Sequence, residues 1–139
     1  MKQAQYTLSI HCHGRGMIDI TGDVRGWVRE AGIQTGLLNL FVQHTSCSLM
    51  IQENADPDVL RDMEAFMTRL VPDGDPDFHH RAEGPDDMPA HIRMALTQVS
   101  LTIPVQDARP ALGTWQGIYL YEHRHQPMRR RVHMHLAGA

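Results

Sequence analysis

Between Gly36 and His44 the chain reads GLLNLFVQH, a run whose apolar character barely lapses. A strand with one wet face alternates apolar and polar residues, whereas a run without that alternation must be covered on both faces. The segment is also far too short to cross a bilayer, which takes about 20 apolar residues in a helix. It therefore belongs at the centre of a sheet, and its neighbours must supply the cover.

The flanking segments fit that demand. QYTLSIHC (5–12) alternates and reads as a strand. DITGDVRGWVREAG (19–32) reads as a helix, with Thr21 as N-cap, Val24, Trp27 and Val28 as its buried stripe, and Gly32 as its stop. SCSLMIQE (46–53) is the next strand. In ADPDVLRDMEAFMTRLVPDGD (55–75), Asp56 caps a helix and Pro57 occupies its first turn. Val59, Leu60, Met63, Phe66, Met67 and Leu70 make one apolar face of it, and Pro72 and Gly74 end it.

Residues 73–90 form a long loop rich in Pro, Gly and acid, of the kind that tends to carry function. A helix over PAHIRMALTQV (89–99) and a strand SLTIPVQ (100–106) follow. QGIYLYEHR (116–124) and RRVHMHL (130–136) read as a closing hairpin, with His125 to Met128 at its turn. The expected fold is α+β: a single compact domain over residues 1–139, with a mixed β-sheet and two to three helices packed on it.

A chain of 139 residues buries enough surface to stand without disulfides. Its net charge of -3, with 42% hydrophobic residues, argues against disorder and against a nucleic-acid-binding surface. The one basic run, RRR at 129–131, reads as a turn or an anion contact. Cys12 and Cys47 lie within strands without CxxC spacing and read as reduced, buried thiols. With no signal-peptide pattern in the first residues and no spanning run, a soluble cytoplasmic protein with no membrane partner is expected.

The ten histidines are the unusual component, scattered from His11 to His135. Neutral imidazole is both a metal ligand and a proton carrier near pH 7. Polar residues gather in QHTS (43–46), QENAD (52–56), FHHRAEGPDDMPAH (78–91) and TWQGIYLYEHR (114–124), at strand ends and in the long loop. Taken singly, several have plain structural explanations. Thr45 and Ser46 are common turn formers, Asp56 is a cap, and His44 at a strand end can simply bond a carbonyl. His133 and His135 alternate with Val132, Met134 and Leu136, which places them on a solvent or interface face. No HExxH, EF-hand loop, Walker loop or GxGxxG is present. A Ser46–His44–Asp56 triad fails, because no nucleophile elbow is present and residues two apart on a strand do not face each other.

Taken together, GLLNLFVQHTSCSLMIQENADPDVLRDMEAFMTRLVPDGDP, EGPDDMPAHIRMALT, SLTIPV and LGTWQGIYLYEHR closely resemble the YjbQ-like family, over nearly the whole chain from about Ile20 to Leu136. The resemblance implies a homotrimer and a transferase with secondary thiamine-phosphate synthase activity. That reaction joins hydroxymethylpyrimidine pyrophosphate to a thiazole phosphate and releases pyrophosphate. The other readings are a metal-dependent hydrolase or lyase, and a non-enzymatic trimeric metal- or metabolite-binding protein.

Carried onto this sequence, the motifs point to His44, Glu53, Asn54 and Glu122 as catalytic residues. Thr45, Ser46, Asp86, Trp115, Gln116 and Arg124 are the expected contacts to a small phosphorylated metabolite. His80, His91 and His123 are the expected ligands of a divalent metal, zinc or magnesium, because a loop, a helix start and a strand end can converge. Glu53 is expected to pair with His44 across a short hairpin and to raise its basicity. Two positions depart from the family pattern: Arg81 stands where an acid often follows the loop histidine, and Cys47 where a small residue is common.

Overall fold

The GLLNLFVQH run becomes strand β3 (Thr35–Val42) and lies in the middle of a five-stranded sheet, as its composition demands. A computed structural model describes residues 1–139. On one side of β3 sits β8 (Met128–Gly138), itself paired with β1 (Lys2–Cys12). On the other sits β5 (Ser100–Gln106), followed by the short β6 (Arg109–Pro110). A second sheet has three strands in the order β2 (Gly16–Asp19), β7 (Gln116–Glu122), β4 (Cys47–Glu53).

Every pairing is antiparallel, so neither sheet is mixed. The reason lies in the connections. Helix α1 (Thr21–Ala31) carries the chain from the small sheet to the large one. The pair α2 (Pro57–Leu70) and α3 (Asp87–Leu96) does the same. Neither connection joins parallel neighbours within one sheet, so no βαβ unit forms. For the same reason the expected closing hairpin does not exist: β7 pairs with β2 and β4, whereas β8 pairs with β1 and β3.

The main core lies between the sheets. Leu38, Leu40 and Val42 of β3, Val132, Met134 and Leu136 of β8, and Leu101, Ile103 and Val105 of β5 meet Leu49, Ile118 and Leu120 of the small sheet. Val24 and Val28 of α1 close one end. Burying one such side chain contributes roughly 1.5–3 kcal/mol. The other face of the small sheet holds Met50, Tyr119 and Tyr121, covered by Leu60 and Met63 of α2. Phe66 and Leu70, expected on that buried helix face, are exposed instead. The result is a single α+β domain in which the small sheet is covered on both sides.

Local chemistry explains the element ends. Asp56 caps α2 as expected, its Oδ1 accepting from the Asp58 amide at 2.9 Å, with Pro57 in the first turn. Gly32 ends α1 in the left-handed region, φ 69°. Thr21 is not the N-cap of α1. Asp19 Oδ1 accepts the Thr21 amide at 2.9 Å, and the Thr21 hydroxyl accepts the Ile118 amide at 2.8 Å, tying the helix to β7. Gly36 and Gly138 face each other where β3 meets β8. A Cβ at Gly138 would lie 1.9 Å from the Thr35 carbonyl oxygen, so no larger residue fits there without moving the strands.

Candidate metal centre

At the end of the small sheet where Cys47 lies opposite Glu122, the chain gathers its charged residues. Helix α3 begins with Asp87 and carries His91 one turn later, so both side chains share a face. The long loop brings His80 over them. Nε2 of His80 lies 2.6 Å from Asp87 Oδ2, and Nε2 of His91 lies 3.2 Å from the same oxygen. The three candidate ligand atoms all sit within 4.8 Å of one another.

The tautomers are informative. Nδ1 of His91 donates to the Thr45 carbonyl at 2.6 Å, so in the neutral ring Nε2 carries the lone pair. That lone pair faces a carboxylate, an arrangement that is repulsive unless a proton or a metal cation lies between. Asp87 is 1% exposed, and its other oxygen accepts from Arg124 Nη1 at 2.7 Å. Burial works against its charge, but the hydrogen bond from His80 and the Arg124 guanidinium hold its carboxyl below the ordinary aspartate range. Two imidazoles, one ionised carboxylate and a backbone carbonyl orienting one imidazole make a donor set that fits a divalent transition metal.

Beneath this cluster lies a second network, wholly buried. Arg130 meets Glu122 through two parallel bonds, Nε to Oε1 at 2.7 Å and Nη2 to Oε2 at 2.6 Å. Glu122 Oε2 also accepts the amides of His123 and Arg124, and Arg130 Nη2 donates to Ser46 Oγ at 2.8 Å. Burial and the Glu122 charge push the Cys12 thiol up to about 12, and burial does the same to Cys47. Both cysteines are free and stay protonated at neutral pH.

A model of the family described as UPF0047 protein YjbQ-like matches residues 6–139. A UPF0047 protein of Synechocystis sp. is 47% identical over 137 residues, which is 99% of this chain and 93% of that relative. The chain belongs to the YjbQ/UPF0047 family. YjbQ of Escherichia coli O157:H7 is 42% identical across 96% of this chain and 97% of its own. Among solved structures, a YjbQ/UPF0047 family protein of Clostridium acetobutylicum is 35% identical with a TM-score of 0.82, covering 96% of this chain and 99% of the other. A conserved hypothetical protein of Thermus thermophilus is 34% identical with a TM-score of 0.83, covering 93% and 97%.

In this YjbQ-family chain the residues expected at the site separate into three groups. His80 and His91 converge, with Asp87, which the sequence reasoning did not select, as the third donor. The Asp87–His91 spacing of one helical turn was the available signal. His123, the expected third ligand, is not among them. It is completely buried, its Nε2 is 2.8 Å from Ser48 Oγ, and its Nδ1 has no partner. Burial, then the charges of Arg93, Arg15 and Arg130, push its imidazole down to about 3 and keep it neutral.

The second group is nearby but already engaged. Glu122 has its oxygens occupied by Arg130 and two amides, which makes it a structural anchor rather than a catalytic carboxylate. Arg124 is held by Asp86, Asp87 and the Glu83 carbonyl, and Asp86 also accepts the His125 amide. Ser46 serves Arg130, and the Thr45 carbonyl serves His91. His44 accepts the Arg131 amide on Nε2 at 2.8 Å, which occupies the lone pair a general base would use. Burial and the charges of Arg130 and Arg131 lower its pKa as well. Arg130 lies within a strand rather than in a turn, and the anion it contacts is the Glu122 carboxylate. In β8 it shares the inward face with Val132, Met134 and Leu136, and that alternation was its sequence signal.

The third group lies at the opposite end of β4 and β7. Glu53 pairs in register with Gln116, and the Asn54 amide bonds the Trp115 carbonyl at 3.0 Å. Glu53 does not meet His44, because β3 and β4 are in different sheets and form no hairpin. Its Oε2 instead accepts the Asp56 amide at 3.2 Å, just ahead of α2. Gln116 Oε1 accepts the Gly113 amide at 2.7 Å, and Trp115 is 62% exposed.

Proposed function

We propose that this chain is a metal-dependent transferase acting on phosphorylated small molecules, with thiamine-phosphate synthesis as a secondary activity. The observation that carries the proposal is the convergence of His80, Asp87 and His91 beside a cavity of about 400 Å³ to which His80 contributes a wall. These three residues would hold the ion. Two nitrogen donors favour zinc over magnesium, which prefers all-oxygen coordination. A bound divalent cation would neutralise the charge that develops on departing pyrophosphate. Arg124 fixes the Asp87 carboxylate and the Thr45 carbonyl fixes the His91 ring, so binding the ion asks mainly that His80 give up its 2.6 Å hydrogen bond to Asp87.

The proposal extends to assembly and setting. The outer face of the large sheet carries Leu37 and Phe41, 58% and 45% exposed, and a homotrimer would cover them. Two reduced, buried cysteines fit a reducing cytoplasm, and no helix is long and apolar enough to cross a membrane. The test is metal analysis of purified protein, light scattering, and product analysis with both phosphorylated substrates. The expected result is a metal-bearing trimer that makes thiamine phosphate, with metal and product both lost in His91→Ala. Release of phosphate from one substrate alone would reassign the site to hydrolysis. Metal binding without turnover would make it a binding protein.

A further inference from the structure

The long loop is pinned at both ends. Arg15 holds Asp73 through two bonds at 2.9 and 3.0 Å, with His125 on the same carboxylate at 2.9 Å. The Gly74 amide donates to the Pro85 carbonyl at 3.1 Å, and Arg124 holds the Glu83 carbonyl at 2.8 Å. Between these staples the loop lines an open cavity of about 400 Å³ beside the triad. Phe78, Pro76 and Pro85 give it apolar walls, Asp75 adds one carboxylate, and His80 is shared with the metal cluster. Arg81 is the cavity's only arginine or lysine. Its guanidinium makes no ion pair with any carboxylate of the chain.

The other cations near the triad are committed. Arg124 and Arg130 spend their donors on Asp86, Asp87, Glu122, Ser46 and the Glu83 carbonyl. A phosphorylated ligand reaching the metal through this cavity therefore finds one free guanidinium. The planar fork of an arginine matches two phosphate oxygens at once.

We propose that Arg81 is the anion-recognition residue of this site, holding a phosphate or pyrophosphate group while the ring of the ligand lies against Phe78 and the prolines. This takes over the role that Thr45, Ser46 and Arg124 were expected to fill. It rests on the proposed function for the presence of the metal, but not for the presence of the anion site.

The experiment is calorimetric titration of inorganic pyrophosphate into the full chain, once metal-free and once preloaded with zinc and dialysed free of excess. Wild type, Arg81→Ala, Arg81→Lys, Arg81→Glu and a remote control, Arg29→Ala, are compared. Arg81→Ala is expected to weaken pyrophosphate binding about 10-fold or more, the scale of one lost charge-assisted contact. Arg81→Glu should abolish it and Arg81→Lys restore part, with zinc affinity unchanged in all. Unaltered pyrophosphate affinity in Arg81→Ala and Arg81→Glu, an equal loss in Arg29→Ala, or no binding to wild type would each overturn the proposal. Failure of wild type to take up zinc, with the Arg81 dependence intact in the metal-free series, would sink the metal reading alone.

Discussion

The two ends of the β4–β7 ladder carry motifs of equal density in the sequence and unlike character in space. At the Cys47–Glu122 end, charged groups are paired around buried members: Asp87 under the exposed His80 and half-buried His91, then Arg124, and then the Glu122–Arg130 pair. At the Glu53–Gln116 end, the same kinds of residue cap turns and face solvent. Six residue steps of β-strand, about 20 Å, separate the two. A polar motif at a strand end is thus a buried, paired network or an exposed cap according to what the neighbouring strands bury beside it.

The largest test of that contrast is removal of the buried carboxylate. Glu122→Ala strands the Arg130 guanidinium, which is 2% exposed, and should cost about 3–5 kcal/mol. In a thermal melt that corresponds to a drop of roughly 10–20 °C. A small change would mean that water reaches Arg130 and that the two ends are alike.

A smaller effect comes from acid. His123 is neutral in the folded protein down to about pH 3, whereas in the unfolded chain it takes a proton near pH 6.5. The unfolded state therefore binds the extra proton between those values, and folding stability falls as pH drops through that window. The slope contributed by one such group is about 1.4 kcal/mol per pH unit. Urea melts from pH 7 to pH 4 should show it in wild type and lose it in His123→Gln. An unchanged slope in the variant would assign the acid sensitivity elsewhere.

The smallest effect belongs to the far end. Glu53→Gln keeps the shape of the cap on the Asp56 amide and should cost no more than about 1 kcal/mol. Zinc uptake and turnover per folded molecule should not move. Reduced zinc affinity in Glu53→Gln would join the two ends into one site, for instance across a subunit boundary, and would break the contrast.

Much of the local structure was readable beforehand. The unbroken apolar run of β3 required a central strand, Asp56 and Pro57 marked the start of α2, and alternation marked β1. His80 and His91 stood out because imidazole is chemically distinctive wherever it lies. Less visible were Asp87 and Arg130, whose signals were a helical i, i+4 spacing and an inward position in an alternating strand. Both were obscured by the runs of like charge around them.

Periodicity and capping act within a few residues, so the sequence alone determined the longer elements, though not the short β2 and β6, together with the two reduced thiols and two of the three candidate ligands. Which strands became neighbours was decided only by the tertiary structure. Covering both faces of the small sheet sends β7 and β8 into different sheets and carries Glu53 away from His44. It also seals His123 beneath the site rather than in it. A hydrogen-bonded ladder is indifferent to which apolar strand it joins. The choice is made by burial summed over the whole core, a quantity that no single segment contains.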